Sequence, residues 1–315
     1  MDVFARLMDG VRARGALFGQ AVLEPPWSLR FAAGAPLTLL TMVHRRAWIV
    51  PDAGAPVRLA TRDVAVVRGP APFTVADDPA TPPRHVITGA DYCAPGAVPL
   101  AARTCGETPD GSALLLAAAY DGDGVGELLL RALPEVLVLA EDERRGQLLD
   151  LVSAEVTQDV PGQQVVLDRL LDLMLGATLR SWFDRPEARP PAWYRAVGDP
   201  VVEHAVRLLH DDPAHPWTVA ALAAKTGTSR AAFARRFTAR TGEPPMRYLA
   251  GLRIALAADL LRDSDATVAA IARKVGYANA FALSVAFKRI HGITPTERRG
   301  RPVGGHEPAA PGPGL

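Results

Sequence analysis

The sequence predicts an α+β protein: a β-rich N-terminal region with flanking helices, then an all-α C-terminal region of two helix-turn-helix units joined by a linker helix. Three observations predict it. Between Val219 and Pro295 one pattern is written twice, VAALAAKTGTSRAAFARRFTARTGEPP from Val219 and VAAIARKVGYANAFALSVAFKRIHGITP from Val268, offset by 49 residues as far as Gly227 and Gly276 and by 50 after them. From Ala21 to about Leu139 the chain consists of short apolar runs punctuated by Pro and Gly, the texture of many short strands. From Glu141 to Leu179 the apolar spacing lengthens to a helical period.

In chain order, residues 2–20 predict a short amphipathic helix with Val3, Phe4, Leu7, Met8 and Val11 on one side. The runs WSLRF, LTLLTMVH, AWIV, VRLA, DVAVV, FTVAD, HVIT and ALLLAAAY predict strands of a small barrel or sandwich. LLDLVSAEV, a break at Pro161-Gly162 and QQVVLDRLLDLMLGATLRSWF predict two helices. In the second, Val166, Leu170, Leu173 and Met174 form one apolar stripe, widened by Val165, Leu167, Leu171 and Leu175. A helix apolar over most of its surface needs two partners. One is the adjoining sheet and the other is the same helix of a second chain, so Leu171 and Leu175 are expected in a dimer interface through Val165 to Leu175. Residues 185–200, with prolines at 186, 190, 191 and 200, predict a linker. A helix from Val201 then opens the C-terminal domain.

In each repeat an apolar i, i+3, i+4 helix stops at a glycine, and a polar residue, Ser229 or Asn279, caps a second helix. That helix buries two large residues four apart, Phe233 with Phe237 and Leu283 with Phe287, and ends at Gly242 or Gly292. Two short helices around a tight turn form the unit whose second helix lies in the DNA major groove. The helix MRYLAGLRIALAADLL between the copies, with Leu249, Leu252, Leu256 and Leu260 or Leu261 on one face, is a rod of about 23 Å at ~1.5 Å per residue. Such a rod can hold two recognition helices about one DNA turn apart. GRPVGGHEPAAPGPGL at the end has almost nothing to bury and is expected to be disordered.

Here the chain resembles the AraC/XylS family of transcription regulators. The likeness is carried by Trp217-Thr218, by Arg253 and Ala257 in the linker helix, and by Gly276-Tyr277, Phe287-Lys288, Gly292, Pro295 and Arg298, over roughly the last third of the chain. The N-terminal region resembles the cupin-like sensor domain that often precedes such a module. Its support is Thr61-Arg62-Asp63 before VAVVRGPAPF, and Cys105-Gly106 followed by an apolar strand and Leu133-Pro134. Two departures matter: the family's glycine is Arg62 here, and Phe73 stands where many cupins place a metal-binding histidine. His44 and His85 remain without a third ligand at metal spacing, so no metal, no cofactor and no enzymatic activity are expected. The expected boundaries are a cupin-like ligand-binding and dimerisation domain at 1–184, a linker at 185–200, a DNA-binding domain at 201–300 and a tail at 301–315.

Charge agrees with that division. Residues 1–200 hold 19 basic against 25 acidic side chains, a net −6, and residues 201–300 hold 15 against 8, a net +7; a basic module on an acidic one fits a DNA binder fused to a different function. Nothing near the start resembles a signal peptide and no run approaches the length of a membrane span, so a soluble, cytoplasmic, nucleoid-associated protein is expected. Cys93 and Cys105 are too few for a disulfide framework; Cys105, beside Arg103, is the redox candidate, a role implied by its resemblance to one subgroup of such cupin-like domains with a cysteine at this place.

The resemblance implies double-stranded promoter DNA, a small-molecule effector, a second copy of the chain and RNA polymerase as partners, in an activator's arrangement; the residues themselves leave activation and repression open. The expected DNA-binding residues are Ser229, Arg230, Ala231, Ala234 and Arg235 in the first unit, and Asn279, Ala280, Phe281, Ser284, Val285, Lys288 and Arg289 in the second. By resemblance, positions 231, 234 and 235 touch bases, and among them Arg235 alone can make a bidentate contact to guanine. Val285 stands where the family usually has arginine, so the second face is expected to offer a thymine-methyl contact and one hydroxyl, with Lys288 and Arg289 placed for phosphates. The competing readings are a cupin-type metalloenzyme, disfavoured by the missing ligands, and a nonspecific architectural DNA binder, for which +7 is modest.

Overall fold

The computed structural model describes residues 3–9, 11, 19–88, 98–101, 103–106, 111–120, 125–185, 187–188 and 190–299. The tail expected to be disordered lies outside them. The N-terminal strands are β1 (Gly19–Leu23), β2 (Ser28–Phe31), β3 (Leu37–His44), β4 (Ala47–Pro51), β5 (Val57–Leu59), β6 (Val64–Arg68), β7 (Phe73–Ala76), β8 (His85–Ile87), β9 (Val98–Ala101), β10 (Thr104–Gly106), β11 (Ala113–Tyr120) and β12 (Val136–Leu139). They form a seven-stranded sheet in the order β12-β6-β3-β11-β1-β10-β9 and a five-stranded sheet in the order β5-β4-β7-β2-β8. The expected barrel is thus two packed sheets rather than a closed cylinder.

The long apolar runs of β3 and β11 follow from their place in the larger sheet. Side chains alternate across a strand, and here both faces are covered. Leu40, Met42, Leu115 and Ala117 point into the core shared with the five-stranded sheet. Leu37, Leu39, Leu116, Ala118 and Tyr120 point the other way, into a core shared with α3 (Glu143–Val156) and α4 (Gln163–Phe183). The buried Tyr120 hydroxyl donates to the Leu171 carbonyl at 2.8 Å, which seats α4 on the sheet. Burial pushes that hydroxyl's pKa well up, so it remains a donor.

Three elements differ from the sequence expectation. The first helix, α1 (Val3–Asp9), is shorter than residues 2–20, since Gly19 and Gln20 already belong to β1. The stretch before β12 contains one helical turn, α2 (Glu127–Leu130). In α4, Leu167, Leu171, Met174 and Leu175 are buried inside the protomer, while Val165, Val166 and Leu173 are 63%, 46% and 55% exposed. Leu171 and Leu175 therefore belong to the chain's own core and not to a dimer interface.

Arg62 is in the left-handed region, at φ 65°, which explains why a glycine suits this place. Its side chain compensates by strapping the turn to α3: it pairs with Asp150 at 2.9 Å, with Glu141, and donates to the Gly146 carbonyl at 3.1 Å.

The described part of the proline-bearing stretch at 185–200 packs on the N-terminal helices through one helical turn. It contains α5 (Ala192–Arg195), whose Trp193 is 2% exposed and stacks on Phe4 of α1 with centroids 6.1 Å apart, and meets Phe183 edge-on at 5.6 Å. Beyond it lie α6 (Pro200–Asp211), α7 (Val219–Lys225), α8 (Arg230–Thr241), α9 (Pro245–Asp263), α10 (Val268–Lys274), α11 (Ala280–His291) and α12 (Pro295–Arg299). Asp199 caps α6 by accepting from the Val201 and Val202 amides. His210 of α6 shares a 2.6 Å hydrogen bond with the Tyr248 hydroxyl of α9, and burial lowers its pKa to about 4, so the imidazole joining these helices is neutral.

A second contact joins the halves at the far end of α9. The Glu127 amide donates to Asp259 at 2.8 Å, and the Glu127 carboxylate accepts from Arg298 at 3.0 Å with His291 at 3.9 Å. Burial raises the Asp259 pKa to about 6. Among the described residues no helix is long and apolar enough to cross a membrane.

The inner and outer faces of α4 predict different responses to truncation. Leu171→Ala should lower the unfolding free energy by about 2–5 kcal/mol, and Leu173→Ala should stay within about 0.5 kcal/mol of the parent in dilute solution; urea unfolding measures both.

Candidate nucleic-acid interface

The two repeats fold as two superimposable patterns of caps and turns. In the first, Thr218 accepts from the Ala221 amide at 3.1 Å to open α7, and Ser229 accepts from the Ala232 amide at 3.3 Å to open α8. In the second, Thr267 accepts from Ala270 at 3.2 Å to open α10, and Asn279 accepts from Ala282 at 2.9 Å to open α11. The four glycines are all left-handed: Gly227 and Gly276 in the turns at φ 68° and 85°, Gly242 and Gly292 at the helix ends at 82° and 75°. Phe233, Phe237, Leu283 and Phe287 are fully buried, and they fix which side of each recognition helix turns outward.

Gly276 is constrained twice. Besides its backbone angle, a Cβ there would lie 2.8 Å from the Ala214 backbone and from Nη2 of Arg253. Arg253 in turn donates to the carbonyls of Pro213 at 2.7 Å and His215 at 2.9 Å. It therefore ties the 19-residue α9, about 28 Å long at ~1.5 Å per residue, to the segment leading into the first unit.

On α8, Arg230, Ala231 and Arg235 are exposed and Ala234 is half-buried. Two other arginines of this helix have structural partners: Arg236 pairs with Asp199 at 2.8 Å, and Arg240 donates to the Val197 carbonyl at 2.9 Å. Among the described residues nothing pairs with Arg230 or Arg235, so both are free for a ligand. On α11, Phe281 and Val285 are 78% and 56% exposed, with Ala280 and Ser284 half-buried between them. The Ser284 hydroxyl donates to the Ala280 carbonyl at 2.8 Å, so the proton expected to serve a base edge is already engaged. Lys288 and Arg289 are exposed toward the helix end.

The structure adds Lys225, Arg273 and Lys274, exposed cations in the last turns of α7 and α10. Lys225 and Lys274 are related by the 49-residue offset, which was the signal available for finding them.

The other predicted sites fall elsewhere. Cys105, 4% exposed on β10, is disulfide-bonded rather than an accessible thiol; Cys93, the other cysteine of the sequence, lies outside the described residues. Phe73 stacks on Phe31 with centroids 5.0 Å apart, and beside this pair only about 20 Å³ of cavity remains between the sheets, room for one water. His44 is exposed at the end of β3, and among the described residues no three His, Cys, Asp or Glu side chains are grouped to hold a metal ion.

Comparison with known proteins agrees with this geometry. Residues 2–184 match the cupin family and residues 222–301 a helix-turn-helix domain family. An AraC-like transcription regulator of Streptomyces lividans is 32% identical over 311 residues, covering 96% of this chain and 99% of its own. The transcriptional regulator AlkR of Acinetobacter baylyi is 33% identical over 173 residues, 52% of this chain and 56% of its own. A crystal structure of an AraC-type regulator from Chromobacterium violaceum is 27% identical over 33% of this chain and 93% of its own, with a TM-score of 0.32. With its relatives being transcription regulators and its twin units carrying the DNA-binding pattern, the chain belongs to the AraC-type DNA-binding transcription regulators that have an N-terminal cupin domain.

Proposed function

We propose that the protein is a sequence-specific promoter-binding regulator that reads DNA with unequal halves and receives its signal through the N-terminal domain. The observation that carries the reading is the contrast on α8 between Arg236 and Arg240, which hold the fold together, and Arg230 and Arg235, which are exposed and unengaged. An arginine kept free on the outer face of a recognition helix suits the O6 and N7 acceptors of guanine. Ser229, Arg230, Ala231 and Ala234 line the same entry to the groove; on α11 the matching surface is Asn279, Ala280, Phe281, Ser284 and Val285, with Lys288 and Arg289 contacting phosphates. A nonspecific architectural binder would need denser phosphate-facing charge. A promoter-bound protein of this kind acts on RNA polymerase.

For the signal, the disulfide at Cys105 favours a redox input. Two thiols and hydrogen peroxide give one disulfide and two waters, and β10 hydrogen-bonds to both β1 and β9, so a change at Cys105 bears on the sheet. A small-molecule effector is the second reading. It is supported by a cleft of about 1130 Å³ between the halves, lined by Leu128, Trp182, Met246, Arg247 and Arg289 among others, a volume that suits a small ligand far better than the filled space beside Phe73. Dimerisation is assigned to the outer face of α4, where Val165, Val166 and Leu173 are left uncovered.

Three measurements test these roles. Arg235→Ala should cost about 1–3 kcal/mol and relax one base position, whereas Lys288→Ala should weaken all sequences alike and reduce the salt slope by about one; a uniform loss in the Arg235 variant, scored base by base, removes that residue as a reader. Leu173→Glu should give monomers in sedimentation with the fold intact, and an unchanged dimer moves the interface elsewhere. Cys105→Ser should abolish any difference in DNA affinity between reduced and peroxide-treated protein, and a retained difference ends the redox reading.

A further inference from the structure

We infer that the second unit reads thymine by its 5-methyl group, with Phe281 and Val285 as the specificity-determining residues. The inference rests on the regulator reading above and adds the chemistry of one half of its site.

Phe281 and Val285 are four apart, so they stand one above the other on α11, opposite the buried Leu283 and Phe287. A 78%-exposed phenylalanine beside a 56%-exposed valine is unfavourable in water unless something covers it. Its occupant is indicated by the repeat. With the 50-residue offset, Phe281 and Val285 take the places of Ala231 and Arg235 on α8, and their helix has the same cap, length and terminal glycine.

The surroundings are cationic, with Lys288 and Arg289 on α11 and Arg273 and Lys274 at the end of α10 all exposed. That setting suits a polyanion more than the apolar surface of another protein. In the major groove the apolar feature of a base edge is the thymine C5-methyl group.

Polar alternatives on this face are few. The Ser284 proton is held by the Ala280 carbonyl at 2.8 Å, and the Asn279 carbonyl oxygen by the Ala282 amide at 2.9 Å. Readout over the middle of α11 is therefore by apolar contact. Residues 281 and 285 lie about 6 Å apart along the helix axis at ~1.5 Å per residue, comparable to two base-pair steps of ~3.4 Å, so the two side chains suit thymines one or two steps apart.

The test uses the full chain. Selection from random duplexes defines the bound sequence, and the half whose preference is lost in Arg235→Ala is assigned to the first unit. In the other half each thymine is replaced by 2′-deoxyuridine, which keeps the pairing and removes only the methyl group. Affinity should fall roughly fourfold per contacted methyl, the factor for one buried carbon. A 5-methylcytosine·guanine pair at the same place should bind better than cytosine·guanine. Phe281→Ala, a change at an exposed position, should bind thymine and deoxyuridine equally at the one position that Phe281 reads while keeping the preference at the position read by Val285.

Indifference to deoxyuridine throughout the second half, or an unaltered thymine-to-deoxyuridine ratio in Phe281→Ala, overturns the inference and points instead to a protein partner for this face. If selection returns no preferred sequence at all, the regulator reading fails with it. A defined first half beside a methyl-insensitive second half sinks the thymine inference alone.

Discussion

The aromatic junction of Phe4, Phe183, Trp193 and Tyr194 is the contact on which the arrangement of the chain depends. Phe4 stacks on Trp193, and Phe183 meets Trp193 edge-on. Through them the apolar core of the larger sheet continues without a gap into α6, α7, α8 and the start of α9. A close-packed interior does not tolerate independent movement of its parts. The cupin domain and the first helix-turn-helix unit are thus joined by shared side-chain packing, with Trp193 of α5 as a wedge in the core.

The second unit is built differently. Its core of Ile254, Leu261, Ile271, Leu283 and Phe287 is a separate cluster, joined to the first by α9 and by the Arg253 bridge. The inner halves of the two recognition helices serve the same purpose, and both repeats keep the same pattern of caps and left-handed glycines. Their outer halves differ, with Ala231 and Arg235 of the first standing where the second has Phe281 and Val285. Fold and readout occupy opposite sides of one helix, so the outer side can change without cost to the inner one.

Much of this was legible in the sequence because local signals and burial agreed. The repeat, its polar caps and its glycines placed both units, and the runs LTLLTMVH and ALLLAAAY coincide with β3 and β11 residue for residue. The inward face of α4 was not legible. When Val165, Val166, Leu167, Leu171 and Leu173 are all apolar, helical period has no contrast to reveal which side meets the sheet. The burial of Trp193 was hidden by the surrounding prolines, which read as a spacer although Pro191 opens one helical turn. At the candidate interface, the spacing of Phe233, Phe237, Leu283 and Phe287 placed Arg235 and Phe281 on the exposed side of their helices, while their expected contact with bases came from the family resemblance. The bond from Ser284 back to Ala280 was not, because a hydroxyl on a helix can face either its own backbone or a ligand. Two cysteines twelve residues apart carried no sign that Cys105 would be bonded.

The contact at Glu127 makes the relation between the halves reciprocal. One residue of the cupin domain, through its amide and its carboxylate, meets α9, α11 and α12 of the second unit. Any movement of the cupin domain that displaces α2 must also release Arg298 and Asp259. Free-energy coupling of this kind has no direction: a duplex that favours one seating of the second unit favours the matching seating of the cupin domain by the same factor. Bound DNA then bears on the conformation of the cupin domain, and the seating of that domain measured on the free protein will differ from its seating on the duplex.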